Sequence, residues 1–308
     1  VTRVAAIGEC MIEVAVGDDG AAAIGFAGDT FNTAVYLRRL LPSEARVQYL
    51  TGLGDDWLSE QQAVAMQGEG IELEAHRVSD ASPGLYLVRN DAAGERFFTY
   101  YRDASPARGM FGPGWDAEVA ASIDGADLVV FSAVTVQILT ADGRRGLGEL
   151  LARLRRAGAT IAFDANYRQR GWRNAADAQA AIDAAAAHAD LVLPSLDDER
   201  LLRSEDATPE SVGEHYLHLG AREVVVTDGP GEVTVIRTDG VERIRTTPDA
   251  APVDTTGAGD AFDAGYLAAR LAGRSGLDAA RSGQALAGLV IRHRGAIVPR
   301  SVSLEGVL

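Results

Sequence analysis

Residues 254–260 read DTTGAGD and run directly into FDAGYLAARLAG, so a glycine-rich turn meets a helix start with an acid inside its first turn. Gly257 and Gly259 accept backbone angles that other residues resist, and Ala258 is small enough to let backbone N–H groups approach an anion. The first N–H groups of a helix lack intrahelical partners, and their dipoles favour negative charge. Asp260 among them suits a carboxylate aimed at a hydroxyl that attacks phosphorus. The same residues also fit an ordinary glycine turn capping a core helix, with Asp260 merely favourable at its N-terminus. Phe262, Tyr266 and Ala269 recur at helical spacing and predict a buried stripe behind the turn.

Three other groups carry usable chemistry. Gly28 permits close approach, Asp29 accepts hydrogen bonds from hydroxyls, and Asn32 both donates and accepts. Asp29 and Thr30 equally fit the cap of the helix that follows. Tyr86, Tyr100 and Arg102 combine hydroxyls, apolar faces and a guanidinium fork, which suits a polyol ending in a carboxylate. The alternative is that Tyr100 and Tyr101 stabilise a sheet while Arg102 faces solvent. Asn166, Tyr167 and Arg168 follow the apolar run ATIAFD, so they project from the carboxyl end of a strand, where open α/β sheets bind ligands. Arg168 suits a carboxylate or a transferring phosphate, and Asp164 is placed to orient it.

These residues need a scaffold, and the pattern supplies one. Strands are predicted over 4–7, 47–51, 85–88, 96–101, 127–132, 160–164, 191–194 and 223–227. Helices are predicted over 29–41, 142–157, 175–189 and 285–299. Their alternation favours a mainly parallel sheet covered on both faces. The pair at 85–88 and 96–101, joined by a turn at 90–95, is short for a domain core and fits a small sheet lying over the main one.

Composition narrows the partners. With 308 residues and a formal charge of −15, broad attraction to nucleic acid or anionic membranes is disfavoured. Cys10 is the only cysteine, which excludes an intramolecular disulfide and a cysteine-based metal cluster. No apolar run approaches the roughly 20 residues that span a bilayer, and no export signal begins the chain, so a cytoplasmic protein is expected. There is no GxxxxGK[ST] loop, and GLGDD at 52–56 lacks the full GxGxxG turn. The phosphate site therefore falls to 257–260, and ATP is favoured over NAD. HExxH, EF-hand and paired-cysteine motifs are also missing.

On these motifs the chain resembles the PfkB, or ribokinase-like, family of carbohydrate kinases, whose DTxGAGD signature contains the catalytic base and the anion hole. IGECMIE at 7–13, GFAGDTFNTAVYLRRL at 25–40, PGLYLV, ERFFTYYR and FDANYR extend the likeness over nearly the whole chain. Within the family the wording is most similar to the 2-keto-3-deoxygluconate kinases. The resemblance implies one ribokinase-like domain over 1–308: a three-layer α/β fold whose mainly parallel central sheet is flanked by helices, with a small β-sheet lid from discontinuous segments around 10–30 and 84–103.

It further implies ATP and Mg²⁺ as cofactors, with γ-phosphoryl transfer to O6 of 2-keto-3-deoxygluconate. Asp260 becomes the base, and Gly257, Ala258 and Gly259 the anion hole. Gly28, Asp29, Asn32, Tyr86, Tyr100, Arg102, Asn166 and Arg168 become substrate residues. Ser195, Thr227, Gly229, Gly257, Gly259 and Gly288 fall on the nucleotide side, Glu199 is implied to reach Mg²⁺ through water, and Asp254 with Thr256 to hold K⁺. Relatives usually carry Lys or Arg before the glycine at 229, whereas this chain reads TDG, leaving triphosphate neutralisation to Arg168 and magnesium. Family members commonly form homo-oligomers, and the lid invites a dimer. A fructokinase, a ribokinase and a noncatalytic sugar sensor of the same fold are the alternatives.

Overall fold

Short runs rich in β-branched residues alternate with alanine- and leucine-rich stretches, and the alternation is realised in the computed structural model, which describes residues 1–17, 20–90, 96–245 and 252–308. In chain order the strands are β1 (Arg3–Ile7), β2 (Met11–Val16), β3 (Ala22–Ala27), β4 (Arg46–Leu53), β5 (Glu72–Arg77), β6 (Leu85–Asn90) and β7 (Arg96–Tyr101). They continue as β8 (Leu128–Ser132), β9 (Thr160–Asp164), β10 (Leu191–Leu193), β11 (Glu223–Thr227), β12 (Glu232–Arg237) and β13 (Gly240–Arg245).

The main sheet runs β13-β12-β11-β10-β9-β8-β1-β4-β5. Every pairing from β5 through β11 is parallel, and an antiparallel hairpin, β12 and β13, extends the far edge. Strands of this kind, buried on both faces, need continuous apolar sequence; LVVFS of β8 is buried throughout. One face is covered by the helices Asp29–Leu40, Ala258–Leu271 and Gly276–Val290, the other by Ala133–Ile138, Ala141–Arg156, Ala175–Ala186 and Pro209–His218. Because β1 lies between β4 and β8, the winding reverses there, which opens a crevice beyond the carboxyl ends of the strands.

A second sheet, β3-β2-β6-β7, combines the segments at either side of the first main-sheet crossing. Its register sets Glu13, Tyr86 and Tyr100 side by side on one face, and alternation puts Val16, Ile24 and Tyr101, all exposed, on the other. Of the turn expected at 90–95, residues 91–95 lie outside the described residues.

One predicted element is misplaced. The helix expected over 285–299 occupies Gly276–Val290, because the Ser275 side chain accepts a hydrogen bond from the Asp278 backbone N–H and starts it earlier. It packs closely on the helix Ala258–Leu271 through Gly265 and Gly283. A Cβ on Gly265 would sit 2.7 Å from the Ser282 carbonyl oxygen, and one on Gly283 would sit 2.7 Å from the Phe262 ring. This contact seats the helix that carries Asp260. Among the described residues, no helix is long and apolar enough to cross a membrane.

Candidate active site

The helix Ala258–Leu271 begins at the crevice. Gly257, its N-cap, has φ 73°, and a Cβ there would lie 2.8 Å from the Cα of Ala296, so both backbone angle and space require glycine. Gly259 faces open space, with nothing within 4 Å of where its Cβ would stand. The Ala258 N–H closes the turn on the Thr255 carbonyl at 3.2 Å, while Gly257 and Gly259 on either side of it carry the N–H groups at the helix start. Asp254 fixes the turn: its carboxylate accepts from the N–H of Thr256 at 3.0 Å and of Gly295 at 2.6 Å. One oxygen of this residue, expected at a monovalent cation with Thr256, closes the turn on Thr256 and the other ties it to the C-terminal loop at Gly295.

Asp260 is held from the opposite helix. Asn32 Nδ2 donates to its Oδ2 at 2.7 Å, and Thr33 Oγ1 donates to its carbonyl oxygen at 3.2 Å. Burial and then the charge of Asp29 push the Asp260 carboxyl up to about 7, while the Asn32 hydrogen bond and Arg168 pull it down. Asp29 opens its helix, accepting from the Thr30 N–H at 2.7 Å and from Asn166 Nδ2 at 3.2 Å. Gly28 precedes it in extended conformation, and a Cβ there would lie 2.2 Å from the Glu9 carbonyl oxygen. Close approach to Glu9, not a turn, is what demands this glycine. Burial raises Asp164 and Asp263 well above the usual carboxylate range, reinforced by the neighbouring acids, with Arg168 opposing it at Asp164.

The crevice continues along β10 and β11. Ser195 caps the helix Leu196–Leu202 and bridges to Thr227 at the end of β11, while Thr227 N–H donates to the Pro194 carbonyl at 3.0 Å. Gly229 lies in the following exposed turn with φ 47°. Gly288, within the helix Gly276–Val290, has open space where its Cβ would stand. Arg168, half exposed, donates to Asp198 Oδ2 at 3.2 Å and not to Asp164, the partner expected for it.

Glu199 requires a correction. It is buried, its carboxylate taken by Arg203 Nε at 2.7 Å and the Tyr216 hydroxyl at 2.5 Å, so it faces the helix layer and not the crevice. Neighbouring helix residues differ by about 100° in direction, and Asp198 is the acid turned toward Arg168. Burial raises the Asp198 carboxyl and Arg168 opposes the rise.

In the small sheet, Tyr86 is buried among Met11, Ala27 and Val88 and donates its hydroxyl to Glu13. Its ring lies 5.8 Å from that of Tyr100, which remains exposed. Arg102 follows β7 and pairs with Glu9.

A model of the pfkB family of carbohydrate kinases matches residues 1–302. The chain belongs to that family. It is 36% identical over 304 residues to the 2-dehydro-3-deoxygluconokinase of Escherichia coli (strain K12), covering 97% of each chain. To the protein of that name from Haemophilus influenzae it is 35% identical, covering 97% of this chain and 96% of the relative. The structure of a PfkB protein from Polaromonas sp. JS666 superposes with a TM-score of 0.81 at 27% identity, covering 96% and 97% of the two chains.

As a pfkB-family chain it brings together residues that sequence reasoning passed over. Asp263 stands one turn after Asp260, a spacing visible in the sequence. Thr33 and Asp198 had as signals only their positions beside Asn32 and Glu199. The hydrogen bond from Asn32 generates a prediction. In ¹³C-carboxyl NMR, Asp260 titrates near 7, and Asn32→Ala moves that midpoint upward because a donor to the ionised form is lost; an unchanged midpoint would refute the coupling.

Proposed function

We propose that this protein is a 2-dehydro-3-deoxygluconokinase, transferring the γ-phosphoryl of ATP to the 6-hydroxyl of 2-keto-3-deoxygluconate. The observation that carries the chemistry is the partly buried Asp260 carboxylate at the start of a helix, oriented by Asn32. The E. coli and H. influenzae relatives carry this activity in their names and span nearly the whole chain.

Each residue then has a task. The substrate hydroxyl meets Asp260, which accepts its proton as oxygen attacks phosphorus. The N–H groups of Gly257 and Gly259, on either side of Ala258, face the phosphoryl oxygens. Asp29, Asn32 and Asn166, with Gly28 behind them, receive sugar hydroxyls, and Tyr100 and Arg102 descend from the lid, with Tyr86 supporting from behind. Arg168 balances charge between the two ligands, while Ser195, Thr227, Gly229 and Gly288 border the nucleotide. Lid closure excludes water, which limits wasteful hydrolysis. The exposed Val16, Ile24 and Tyr101 on the lid's outer face support self-association there.

Mg²⁺ fits as an ion carried by phosphate and water. Among the described residues no three His, Cys, Asp or Glu side chains are arranged to hold a metal ion between them, and Asp198 would supply one carboxylate at the crevice, matching an ion that keeps most of its waters. Bound there, Mg²⁺ supplies charge neutralisation on the phosphate oxygens.

The test is Mg²⁺-dependent ADP formation with 2-keto-3-deoxygluconate, fructose and ribose. Selective use of the acid sugar is expected; turnover only with neutral sugars overturns the substrate, and sugar binding without ADP formation favours a noncatalytic sensor. Asp260→Asn lowers kcat by about 10²–10⁴-fold with folding retained; near-normal turnover would remove Asp260 from its role. Since the base must be ionised and its pKa lies at about 7, kcat falls as pH drops through that value and levels off above it; a flat profile over pH 6–8 would speak against it. Asp198→Asn raises the Mg²⁺ concentration needed for half-maximal rate and leaves the urea midpoint unchanged. Glu199→Ala instead costs about 1–3 kcal/mol of stability by leaving Arg203 Nε and the buried Tyr216 hydroxyl without their acceptor, although Asp183 still holds Arg203; the reverse pattern would exchange the two assignments.

A further inference from the structure

Glu9 stands just beyond β1, the strand at which the sheet's winding reverses, and Arg102 just beyond β7 of the lid. Their ion pair joins the rigid centre of the molecule to the lid, with the Glu9 side chain 3% and the Arg102 side chain 15% exposed. Two glycines make room for it. Gly28 packs on the Glu9 carbonyl, and a Cβ on Gly84 would lie 2.5 Å from Glu9 Oε1 and 3.1 Å from the Arg102 Cβ. Gly28 in turn accepts the Asn32 N–H at 2.7 Å. A short path of contacts therefore leads from Arg102 through Glu9 and Gly28 to Asn32 and Asp260.

The pair is joined at a single point. Arg102 Nη2 meets Glu9 Oε2, whereas Glu9 Oε1 and Arg102 Nε are buried with no partner. A pair serving stability alone gains most from a bidentate fork that satisfies both groups. Leaving one buried donor and one buried acceptor open is unfavourable, and calls for an explanation in function.

We propose that Glu9 is a positioning residue that sets the preference for an acid sugar, by holding the Arg102 guanidinium over the sugar end of the crevice. The inference rests on the acid-sugar reading above. A free arginine on a lid strand samples many rotamers, and immobilising it is a cost charged against binding. Glu9 meets that cost before the substrate arrives and keeps the buried guanidinium charge balanced. An incoming carboxylate finds the fork already aimed. A neutral sugar leaves Arg102 with its protein partner and gains nothing from it.

The test compares KM and kcat for 2-keto-3-deoxygluconate, and KM for ATP, in the wild-type protein, Glu9→Gln, Arg102→Ala and the double variant. Glu9→Gln is expected to raise the sugar KM on the order of ten-fold, with kcat and the ATP KM nearly unchanged, and to add nothing once Arg102 is alanine. Glu9→Asp, which keeps the charge but withdraws it by one methylene, shows the same pattern and serves if the glutamine variant does not fold. An unchanged sugar KM, or an equal rise in the Arg102→Ala background, overturns the role of Glu9 alone. A wild-type protein that does not phosphorylate the acid sugar overturns the acid-sugar reading, and this inference with it.

Discussion

Asp164, Asp260 and Asp263 crowd together near Asp29 beside the end of β9, and desolvation with like charge nearby disfavours the ionised form of all three. Much of the surrounding structure follows from that constraint. Asp164 and Asp263 are pushed furthest toward the protonated form, and Asp260 stops at about 7 because Asn32 donates to it and Arg168 lies within electrostatic reach. A carboxyl poised near neutrality can take a proton and later return it with little loss in either direction. The hydrogen bond from Asn32 also fixes the direction in which the carboxylate points, so the same contact governs geometry and basicity.

Holding that arrangement requires two helices to meet a turn within a fraction of an ångström. Gly257 abuts Ala296, Asp254 clamps the turn to Gly295, and Gly265 with Gly283 brings the following helix close. These contacts lie in the C-terminal third of the chain, whereas Asn32 and Asp29 come from its beginning. The parallel sheet brings them together, because its winding reverses at β1 and all the relevant loops leave from the carboxyl edge.

The strands and the DTTGAGD helix start were legible because they depend on local pattern: period, apolar runs and glycines placed where backbone angles demand them. What stayed hidden depends on direction. Asp198 and Glu199 are adjacent acids on one helix, and only packing decides that Arg203 and Tyr216 take the second. Tyr86 and Tyr100 share one face of the small sheet, yet Glu13 and the cluster beneath bury the first. The sequence likewise does not show that Asp254 accepts two backbone hydrogen bonds, which tie the turn together. The shifted C-terminal helix reflects a single serine cap at 275, a signal outweighed in the sequence by the apolar run after it.

A chain with net charge −15 that takes two anionic ligands, as the proposed function requires, must place cations where long-range repulsion is overcome locally. Arg102 and Arg168 both do so in company: one is paired with Glu9, the other with Asp198. Unpaired, either guanidinium would bear a desolvation cost on burial or wander into solvent. Paired, each is held in place, and under the proposed function each acid would have a second use once an anion arrives, Asp198 toward a metal and Glu9 in keeping the fork aimed. Binding then redistributes existing pairs and does not create charge contacts from nothing. That would lower the reorganisation needed if the small sheet closes, as proposed, over a crevice already crowded with carboxylates.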